Sequence, residues 1–592
     1  MDGKKLEYKG EKALEELEKL TMNAGEVQES ILREILGRNG ETEYLNKYMK
    51  GSMDTKEYRR RVPVIAYDDV RPYVRRIADG EPHSILSGDP ITELLISSGT
   101  SGAEPKLMPS IAEDLDRRTY LYNLIMPIMN QYITGLNEGK AMNLLFVKAE
   151  TLTRSGLPTR PVLTSYYKSE HFLCRPRHDP FNDLTSPDPT ILCPDTHQSM
   201  YSQLLAGLVH RHSVLRIGAV FASALLRALR FLERNWPKLC DDIRRGLPGR
   251  DVTDPACRSA LERVMRASGD AGLADEVGAI CARASWRGVL CLLWPRAKYV
   301  EAVLTGSMAQ YVPALEFYSD GRLPLVCTMY ASSECYFGLN LTPLCDPADV
   351  SYTLLPNMGY FEFILLGDGL DEEAEDFELV GLADIEVGRH YELVVTTFAG
   401  LYRYRIGDVL LVTGFHNRAP KFRFICRRGV LLSIDCDKTN EEELHRSVSA
   451  AKKLLESRDA LLVEYTSCAD ASTIPGHYVL YWEIARTSPT SADAARAEEE
   501  EEVMRECCAA VEESLGYVYR RCRAREGSVG PLEIRVVEAG AFEALMDLCV
   551  GRGGSINQYK TPRCIRSAAE VGLLEGKVMA CFFSPRLPSW SP

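Results

Sequence analysis

The sequence predicts an α/β protein with a large N-terminal domain, residues 1–433, and a small α+β C-terminal domain, residues 434–592. Between residues 290 and 330, apolar segments of strand length alternate with a helical segment, which is typical of a parallel sheet covered by helices. Strand-like segments rich in aromatic and β-branched residues follow between residues 360 and 426. A helical pattern then restarts at Glu441, so we place the domain boundary just before it.

The composition indicates a globular protein. The chain has 592 residues, of which 45% are hydrophobic, and this is enough for two or more packed cores. No run of about eighteen apolar residues occurs, and the first residues lack the apolar core of a signal peptide. The sequence therefore predicts a cytoplasmic protein that does not span a membrane.

The charge and the cysteine pattern argue against two further classes. A formal net charge of −13 disfavours a general nucleic-acid-binding protein. The 18 cysteines form no CxxC pair, so neither a disulfide framework nor a structural zinc site is expected. His171, Cys174 and His178 come nearest to a metal set, but they lack a second cysteine at zinc-site spacing. We expect reduced cysteines, most of them in the core.

Several segments of the N-terminal half have apolar residues three and four positions apart, as amphipathic helices do. The segment from Glu11 to Arg38 follows this pattern with a break near Asn23. The predicted elements of this half are helices over 11–38, from residue 67 onward and over 113–132, a strand over 141–149, an irregular loop over 158–168, and a helical pattern over 201–239 with one strand-like interruption.

The rest of the chain is divided in the same way. Glycine-containing turns follow two of the predicted strands of its β-rich part. The predicted elements are short surface helices over 248–278, strands over 290–294 and 324–330 on either side of a helix over 297–304, strands over 360–366, 391–398, 408–415 and 422–426, and, in the C-terminal domain, helices over 441–457, 494–515 and 541–550 with strands over 461–484 and 532–537.

The segment from Ser97 to Lys106 is predicted to be a phosphate-handling loop. It follows the apolar run 94–96, which can end a buried strand, and it is rich in glycine and hydroxyl residues. Glycines let backbone N–H groups approach phosphate oxygens, while Ser98, Thr100 and Ser101 add uncharged hydroxyl donors. The Walker A spacing is absent, which disfavours a P-loop kinase or GTPase. Taken alone, the segment is equally consistent with a flexible surface linker.

A second motif extends from Met329 to Gly338 and is expected where a parallel strand ends. In open α/β sheets, ligands bind outside the carboxyl ends of the strands. Ser332 and Ser333 can donate hydrogen bonds to phosphate, and Glu334 offers the hard oxygen that a Mg²⁺–phosphate complex prefers. Tyr330 can stack on a purine. The alternative is an ordinary polar turn between strands.

A third motif lies between Thr396 and Val409. Asp408 follows a glycine turn and can accept hydrogen bonds from both hydroxyls of a ribose. Arg403 and Arg405 add positive charge for phosphate or for a neighbouring carboxylate. A structural turn held by salt bridges is the alternative.

A fourth motif, between Gly553 and Arg563, contains Lys560 in a loop preceded by glycines. A single lysine in a small mobile domain can reach a bound phosphate and neutralise the charge that develops during transfer. Because exposed lysines usually face solvent, this interpretation depends on the other three motifs.

Together, the four motifs resemble those of the plant auxin-responsive acyl acid-amido synthetases, a branch of the adenylate-forming superfamily. The resemblance covers nearly the whole chain, and the family's order and spacing are followed at residues 98–102, 330–334, 402–408 and 558–563. Ala103 is a departure, since a second glycine is common there. The resemblance implies a firefly-luciferase-like α/β fold, in which parallel sheets and a β-barrel-like part form the large domain and a small α+β domain is mobile.

The resemblance also implies roles for individual residues. Lys560, Glu334 and Ser98 would be catalytic, and Glu334 would assist Mg²⁺. The residues that would bind ATP are Ser97, Ser98, Thr100, Ser101, Tyr330, Ala331, Ser332, Ser333, Glu334, Cys335, Tyr336, Asp408 and Lys560. The residues that would bind the acid and the amino acid are Val162, Leu163, Thr164, Tyr167, Lys168, Met329, Ala331 and Tyr336.

The implied reaction uses ATP and Mg²⁺ to convert an acyl acid into an acyl-adenylate, which an amino acid then attacks to form an amide. The Ala331, Cys335 and Tyr336 version of the second motif resembles the auxin-conjugating group, so indole-3-acetic acid is the first choice of acid. An acidic amino acid such as aspartate would pair with Lys168. The expected partners are small molecules only, with no nucleic acid or membrane, and the chain is expected to be a monomer.

Three alternatives stay open from the sequence. The acid can be another plant acid, such as jasmonate or benzoate. The acceptor can be coenzyme A instead of an amino acid. A non-catalytic hormone-binding protein that retains the pocket is the alternative from another class, although an intact set of four nucleotide-type motifs disfavours it.

Overall fold

The computed structural model describes residues 10–97, 106–175, 183–265, 267–366, 377, 379–428, 431–456, 458, 460–486, 494–551 and 561–590. These residues divide into an N-terminal unit, which ends at Arg428, and a C-terminal unit, which holds the described residues from 431 onward. Among the described residues, no helix is both long and apolar enough to cross a membrane.

The helices are numbered in chain order. They are α1 (Glu11–Met22), α2 (Ala24–Asn39), α3 (Glu43–Met49), α4 (Thr55–Arg61), α5 (Tyr67–Asp79), α6 (Glu113–Tyr132), α7 (Val162–Lys168), α8 (Glu170–Leu173), α9 (Asp188–Ile191), α10 (Thr196–Val209), α11 (Ala222–Arg245), α12 (Pro255–Val264), α13 (Ala271–Cys281), α14 (Val289–Leu293), α15 (Val312–Ser319), α16 (Glu441–Glu456), α17 (Ala494–Ser514), α18 (Tyr517–Arg521), α19 (Ala541–Gly551) and α20 (Ala568–Glu575).

The strands are numbered in the same way. They are β1 (Ile91–Ser97), β2 (Lys106–Ile111), β3 (Lys140–Leu144), β4 (Thr151–Leu152), β5 (Pro158–Arg160), β6 (Val214–Phe221), β7 (Tyr299–Val303), β8 (Leu325–Val326), β9 (Met329–Ala331), β10 (Tyr336–Leu339), β11 (Tyr352–Leu354), β12 (Tyr360–Leu365), β13 (Leu379–Gly381), β14 (His390–Thr396), β15 (Tyr404–His416), β16 (Ala419–Arg427), β17 (Ala460–Asp470), β18 (His477–Arg486), β19 (Glu533–Val537) and β20 (Val578–Phe583).

Helices predicted from long periodic patterns are confirmed. The pattern from Glu11 to Arg38 forms α1 and α2, and Asn23 separates them as predicted. The predicted helix over 113–132 is α6, which contains Pro127. The pattern over 201–239 forms α10 and α11, and β6 is the strand-like interruption between them. Long amphipathic segments determine their own structure because one face has to be buried.

The predicted parallel sheet is present, and its strand order is β3-β6-β7-β8. Two predicted elements near it are wrong, however. The segment predicted as a strand over 290–294 is helix α14, and the segment predicted as a helix over 297–304 contains strand β7. An apolar run of about five residues has too few positions for its periodicity to distinguish a helix from a strand. Helix α14 starts after Gly288, whose φ of 71° makes the turn into it.

The β-rich part forms an eight-stranded antiparallel sheet in the order β13-β12-β14-β15-β16-β11-β10-β9. The predicted strand over 324–330 is divided between two sheets, because β8 belongs to the parallel sheet and β9 is an end strand of the antiparallel one. The second motif, Met329 to Gly338, therefore begins just beyond the carboxyl end of the parallel strand β8, as predicted, and its own residues form β9 and β10 of the antiparallel sheet.

The segment over 158–168, predicted to be an irregular loop, is also regular. It contains β5, which pairs in parallel with β1, and α7, which starts directly after Pro161. Proline lacks an N–H, so it suits the position before a helix, where that N–H would have no intrahelical partner. Pro161 therefore separates the strand from the helix, and Pro158 is the first residue of β5.

The C-terminal unit is an α+β body around a four-stranded sheet in the order β17-β18-β19-β20. The predicted strands over 461–484 are the β17/β18 hairpin, and the predicted helices correspond to α16, α17 and α19. Its main core includes Trp482, Tyr478 and Leu480 of β18, together with Val448 of α16 and Val511 of α17. Strand β20 and helix α20 were not predicted.

Arg403, the residue immediately before β15, forms a buried ion pair with Glu362 of β12. Its Nε and Nη2 donate to the two carboxylate oxygens of Glu362 at 2.8 and 2.9 Å. Its Nη1 donates to the carbonyl oxygens of Arg59 and Val62 at 2.6 and 2.8 Å. Arg405 is paired in a similar way with Glu392. Both arginines of the third motif therefore serve neighbouring carboxylates, which was one of the two roles predicted for them.

Replacing Arg403 by Met should destabilise the N-terminal unit by about 3–5 kcal/mol, because Glu362 would be left buried without its cation. Hydrogen exchange of the β12 and β15 amides, followed by mass spectrometry, measures this change. Arg389→Met is the matched control, since Arg389 pairs with Glu386 at the surface, and it should cost less than about 1 kcal/mol. Equal protection in the two variants would contradict the structural role of the buried pair.

Candidate active site

The ends of the predicted phosphate loop are held together by strand pairing. Ser97, the last residue of β1, is the antiparallel register partner of Lys106, the first residue of β2. Ser97 is buried. Residues 98–105, among them Ser98, Thr100 and Ser101, lie outside the described residues. The β1/β2 pairing thus defines where the two residues that flank this segment, Ser97 and Lys106, lie on the N-terminal unit.

Lys106 lies among charged and aromatic side chains of three other elements. Its Nζ is 5.3 Å from the ring centroid of Tyr67 on α5. Burial lowers the pKa of Lys106 below its ordinary value, while the nearby Glu334 carboxylate acts in the opposite direction. The positive charges of Arg427 and Arg71 lower this pKa further. Lys106 therefore stands in a positively charged region that Glu334 partly compensates.

The second motif forms the tight turn of the β9/β10 hairpin. The Ser332 amide donates to the carbonyl of Cys335 at 2.8 Å, and the Ser332 hydroxyl accepts from the Glu334 amide at 3.2 Å. Ser333 and Glu334 are half-buried at the tip of this turn. The alternative of a polar turn is correct as a description of the backbone, yet the turn also places Glu334 close enough for its charge to act to raise the pKa of both Lys106 and Arg427.

Asp408 of the third motif is buried, and each of its carboxylate oxygens has a partner. The Tyr330 hydroxyl donates to Oδ2 at 2.6 Å, and Nε of Arg427 lies 3.1 Å from Oδ1. The Tyr330 ring is stacked on Phe337 with centroids 4.7 Å apart. One face of Tyr330 is therefore covered, and its hydroxyl orients Asp408. Each oxygen of a carboxylate has two lone pairs, so Asp408 retains acceptor capacity.

Arg427 was missed by the sequence analysis. Burial alone would lower its pKa, but the charges of Asp408 and Glu334 raise it above its ordinary value. Arg427 is the register partner of Asp408 across the β15/β16 hairpin. Counting outward from the turn at Asn417, which has the positive φ of a hairpin turn, places the two residues opposite each other. This count along the two strands is the sequence signal from which Arg427 could have been predicted as a neighbour of Asp408.

An aromatic cluster, defined as Tyr122, Tyr166, Tyr167, Phe172 and Tyr336, lies beside the second motif. The hydroxyls of Tyr122 and Tyr336 are 3.1 Å apart, and the rings of Tyr122 and Tyr166 have centroids 4.6 Å apart. Tyr167 and Phe172 continue the cluster at 5.1 Å. Predicted substrate residues from α7 and β10 are thus brought together through α6, which carries Tyr122.

The other predicted apolar residues lie on the same elements. Leu163 is packed against the core that contains Tyr167 and Phe172. Ala331 is the register partner of Tyr336 in the β9/β10 hairpin, and Met329 begins β9. Val162 is half-buried at the start of α7.

Arg118 on α6 was not predicted, and it lies next to the aromatic cluster. It is buried, its Nη2 donates to the Ser110 hydroxyl at 3.1 Å, and its guanidinium carbon is 6.0 Å from the Tyr336 ring centroid. Within the described part of the chain, its Nη1 has no hydrogen-bond partner, and the nearest carboxylate oxygen, of Glu93, is 4.0 Å away. A buried donor without a partner costs free energy, so such a group is suited to receive an anionic ligand.

Lys168 and Thr164, predicted to contact the amino acid, already have partners. The Thr164 hydroxyl accepts from the Lys148 amide at 2.9 Å. Lys168 Nζ lies 3.0 Å from Glu150, which also contacts Arg160 at 3.1 Å. Burial would raise the pKa of Glu150, but Lys168 and Arg160 outweigh it and hold this pKa below its ordinary value. An acidic substrate would therefore have to compete with Glu150 for Lys168.

Lys560 of the fourth motif lies outside the described residues. The other three motifs have residues close together on the N-terminal unit. These are Lys106 at the end of the first motif, Tyr330 and Glu334 of the second, and Asp408 of the third. Cations, carboxylates and a tyrosine hydroxyl stand together there, next to a cluster of aromatic rings. Such a set can bind a polyphosphate with a divalent cation, a ribose and a flat acid.

Comparison with known proteins identifies the family. The model of the GH3 family N-terminal domain matches residues 13–325, that of the central domain matches residues 352–427, and that of the C-terminal domain matches residues 442–569. The chain belongs to the GH3 family. These matches confirm the resemblance inferred from the four motifs.

Individual relatives in the GH3 family are similar over almost the full chain. A probable indole-3-acetic acid-amido synthetase GH3.11 of Oryza sativa subsp. japonica is 64% identical over 593 residues, which cover 99% of each chain. The indole-3-acetic acid-amido synthetase GH3.17 of Arabidopsis thaliana is 55% identical over 602 residues, which cover 98% of each chain.

A solved GH3 structure confirms the α/β fold class. The AtGH3.15 acyl acid amido synthetase in complex with 2,4-DB is 45% identical, and the similarity covers 98% of both chains with a TM-score of 0.68. The predicted fold class thus agrees with the architecture of a family member.

Replacing Glu334 by Gln should lower the pKa of Lys106 further, because the variant lacks the one carboxylate found to raise it. Competitive labelling of amines at a series of pH values, with peptide mass spectrometry, would then show Lys106 reacting at lower pH than in the parent protein. Glu233→Gln on α11, whose partner is Arg230, should leave the Lys106 profile unchanged. An unaltered profile in Glu334→Gln would mean that Glu334 does not face Lys106.

Proposed function

We propose that the chain is an ATP-dependent ligase that joins indole-3-acetic acid to an amino acid through an acyl-adenylate. The proposal rests on one observation: four charged residues lie close together beside the aromatic cluster, namely Lys106, Glu334, Asp408 and Arg427. The names of the relatives support it, since GH3.17 is named an indole-3-acetic acid-amido synthetase and GH3.11 a probable one.

The donor set suits ATP with Mg²⁺. Glu334 supplies the carboxylate oxygen that Mg²⁺ prefers, and Lys106 with Arg427 supplies positive charge for a polyphosphate. Asp408 accepts hydrogen bonds from the ribose hydroxyls, and the Tyr330 hydroxyl holds the Asp408 carboxylate in place. We propose that Ser97, Ser98, Thr100 and Ser101 bind the phosphates and that residues 331–336 line the AMP site. Mg²⁺ would neutralise charge on the polyphosphate.

The aromatic cluster suits a flat acid. Tyrosine and phenylalanine rings surround an indole efficiently because they bury a large apolar area at a small entropy cost. The unpartnered Nη1 of Arg118 lies at the edge of this cluster and can donate to the carboxylate of the acid. We therefore add Arg118 to the acid-binding residues Val162, Leu163, Tyr167, Met329, Ala331 and Tyr336.

The reaction proceeds in two displacements. The carboxylate of the acid attacks the α-phosphorus of ATP, and pyrophosphate leaves with the electron pair of the broken P–O bond. The amine of the amino acid, having lost a proton, then attacks the acyl carbon, and AMP leaves. Arg118 and the ring cluster hold the acid, while Lys106 and Arg427 offset charge on the phosphates. Lys560 retains its proposed role of neutralising phosphate charge.

The amino acid is proposed to bind near Thr164 and Lys168. Lys168 is already paired with Glu150. The side-chain carboxylate of an acidic amino acid would therefore have to displace Glu150 from this ion pair. The proposed reactants are small molecules, and we infer that the chain acts as a monomer in the cytoplasm.

The deciding assay incubates the full chain with ATP, Mg²⁺, indole-3-acetic acid and mixed amino acids. We expect an acid–amino acid conjugate by mass spectrometry, with AMP and pyrophosphate released in equal amounts. Replacing Lys560 by Ala should slow pyrophosphate release by about a hundredfold, as expected for the loss of a group that stabilises developing charge.

The same assay separates the alternatives. Jasmonate or benzoate in place of indole-3-acetic acid tests the acid, and coenzyme A in place of the amino acids tests the acceptor. Tight binding of acid without pyrophosphate release, unaffected by Lys560→Ala, would identify a non-catalytic hormone-binding protein. The absence of a conjugate with any plant acid would refute the proposed function.

Replacing Arg118 by Met should raise the KM for the acid by about tenfold to a hundredfold, since a charge-assisted hydrogen bond to the carboxylate is lost. The KM for ATP should change much less. Arg244→Met on α11 is the control, because Arg244 is exposed and paired with Asp275. Steady-state kinetics with each substrate varied in turn measures both constants. An equal rise in both KM values would contradict a specific role in acid binding.

A further inference from the structure

The C-terminal unit contains two cysteines whose sulfur atoms are neighbours although 85 residues separate them in the sequence. Cys436 Sγ and Cys522 Sγ are 3.4 Å apart, and neither cysteine takes part in a disulfide among the described residues. Cys436 is half-buried and Cys522 is fully buried. A disulfide needs only a small approach of the two sulfurs from this distance, provided that both backbones hold the side chains in position.

The backbone around Cys436 is held by a buried carboxylate. Asp437 accepts from the amides of Ile434 and Asp435 at 3.1 and 2.6 Å, and it also accepts from the Tyr478 hydroxyl. A β-bridge between Leu432 and Thr439 closes the segment on both sides. Cys436 therefore stands on a tight turn of defined geometry.

Cys522 lies where the backbone of the partner segment changes form. It follows the last residue of α18 and begins a π-helical turn, Cys522–Glu526. Gly527 ends this turn with a φ of 59°. A π-helical turn widens the helix and alters the direction of one side chain, and such turns are frequent at functional sites. Here the turn directs Cys522 at Cys436.

A guanidinium lies next to the pair and makes the two thiols unequal. Arg521 Nη2 is 3.6 Å from Cys436 Sγ, and Arg521 Nε is 3.2 Å from Glu526. A neighbouring positive charge favours the thiolate, which is the nucleophilic form of cysteine. The hydrogen bond to Cys436 and burial both raise the pKa of the Cys522 thiol. Cys436 is thus suited to react first and Cys522 second.

We propose that Cys436 and Cys522 form a redox-active dithiol that is converted into an intrachain disulfide by exchange with a low-molecular-weight disulfide, for which oxidised glutathione is the probe. The Cys436 thiol loses its proton and attacks one sulfur of glutathione disulfide, releasing one glutathione as thiol and leaving a mixed disulfide. Cys522 then loses its proton, attacks the Cys436 sulfur, and releases the second glutathione as thiol. The protein loses two electrons and two protons, and both are recovered in the two glutathione molecules.

A metal site is the competing explanation for this cluster. The ligand atoms of Asp435, Cys436, Cys522 and Glu526 lie within 4.8 Å of one another, as a zinc site requires. The Arg521 guanidinium already contacts both a thiol and a carboxylate of this set. A fixed cation next to the ligands opposes a divalent ion by charge repulsion, so the geometry favours disulfide chemistry.

The experiment equilibrates the full chain with glutathione buffers of graded ratio, blocks the remaining thiols with an alkylating agent, and maps peptides without reduction. We expect a linked peptide pair containing Cys436 and Cys522, with a mass loss of two hydrogens, and a single reversible midpoint. In Cys522→Ser, Cys436 should accumulate as the mixed disulfide with glutathione. In Cys436→Ser, the buried Cys522 should stay reduced.

Two further variants test the assignment of roles. Arg521→Gln should slow the first exchange by about tenfold, because the charge that favours the Cys436 thiolate is removed. Cys174→Ser is the matched control, since Cys174 is exposed, and it should leave the linked pair and its midpoint unchanged. Circular dichroism of each variant establishes that it is folded.

Two outcomes would overturn the proposal. Retention of both thiols under buffers that modify Cys174 would exclude a reactive dithiol. Stoichiometric zinc in the purified chain, released by alkylation in the parent protein and absent from Cys522→Ser, would identify a metal site instead.

Discussion

The candidate site depends on the buried carboxylate of Asp408. A buried charge is tolerated only when it is paired and hydrogen-bonded, and here Arg427 and the Tyr330 hydroxyl meet that need from two other strands. These contacts join the β15/β16 hairpin to β9 and thereby position the turn that carries Glu334. The contacts of Asp408 thus orient its own carboxylate and fix the position of Glu334, and both residues are proposed to bind the nucleotide.

Much of the architecture was accessible from the sequence because long amphipathic patterns determine their own structure. Helices α1, α2 and α6 follow from their periodicity, and four of the eight strands of the antiparallel sheet, β12, β14, β15 and β16, were predicted as strands. The order of the phosphate-type motifs was sufficient for the family, since hydroxyl, glycine and acidic residues at fixed spacing carry chemical information independent of the fold. The parallel sheet was predicted, although its strand β7 was predicted to be a helix and helix α14 was predicted to be a strand.

The rest could not be predicted because its cause lies in tertiary structure. Helix α14 and strand β7 are too short for their periodicity to discriminate. Arg118 has no local signal, since its importance comes from burial and from a nitrogen atom that has no hydrogen-bond partner in the described part of the chain. Tyr330 was expected to stack on a base, yet Phe337 covers one of its faces, a contact that depends on the register between β9 and β10.

The pairing of Ser97 with Lys106 separates two properties of the first motif. Lys106 is the first residue of β2, so its backbone is fixed by strand pairing. Ser98, Thr100 and Ser101 instead lie in the connection between the two strands. The ends of that connection are as far apart as neighbouring antiparallel strands, about 5 Å. Evolution can therefore change the length or composition of the connection without displacing the lysine that is proposed to attract a polyphosphate.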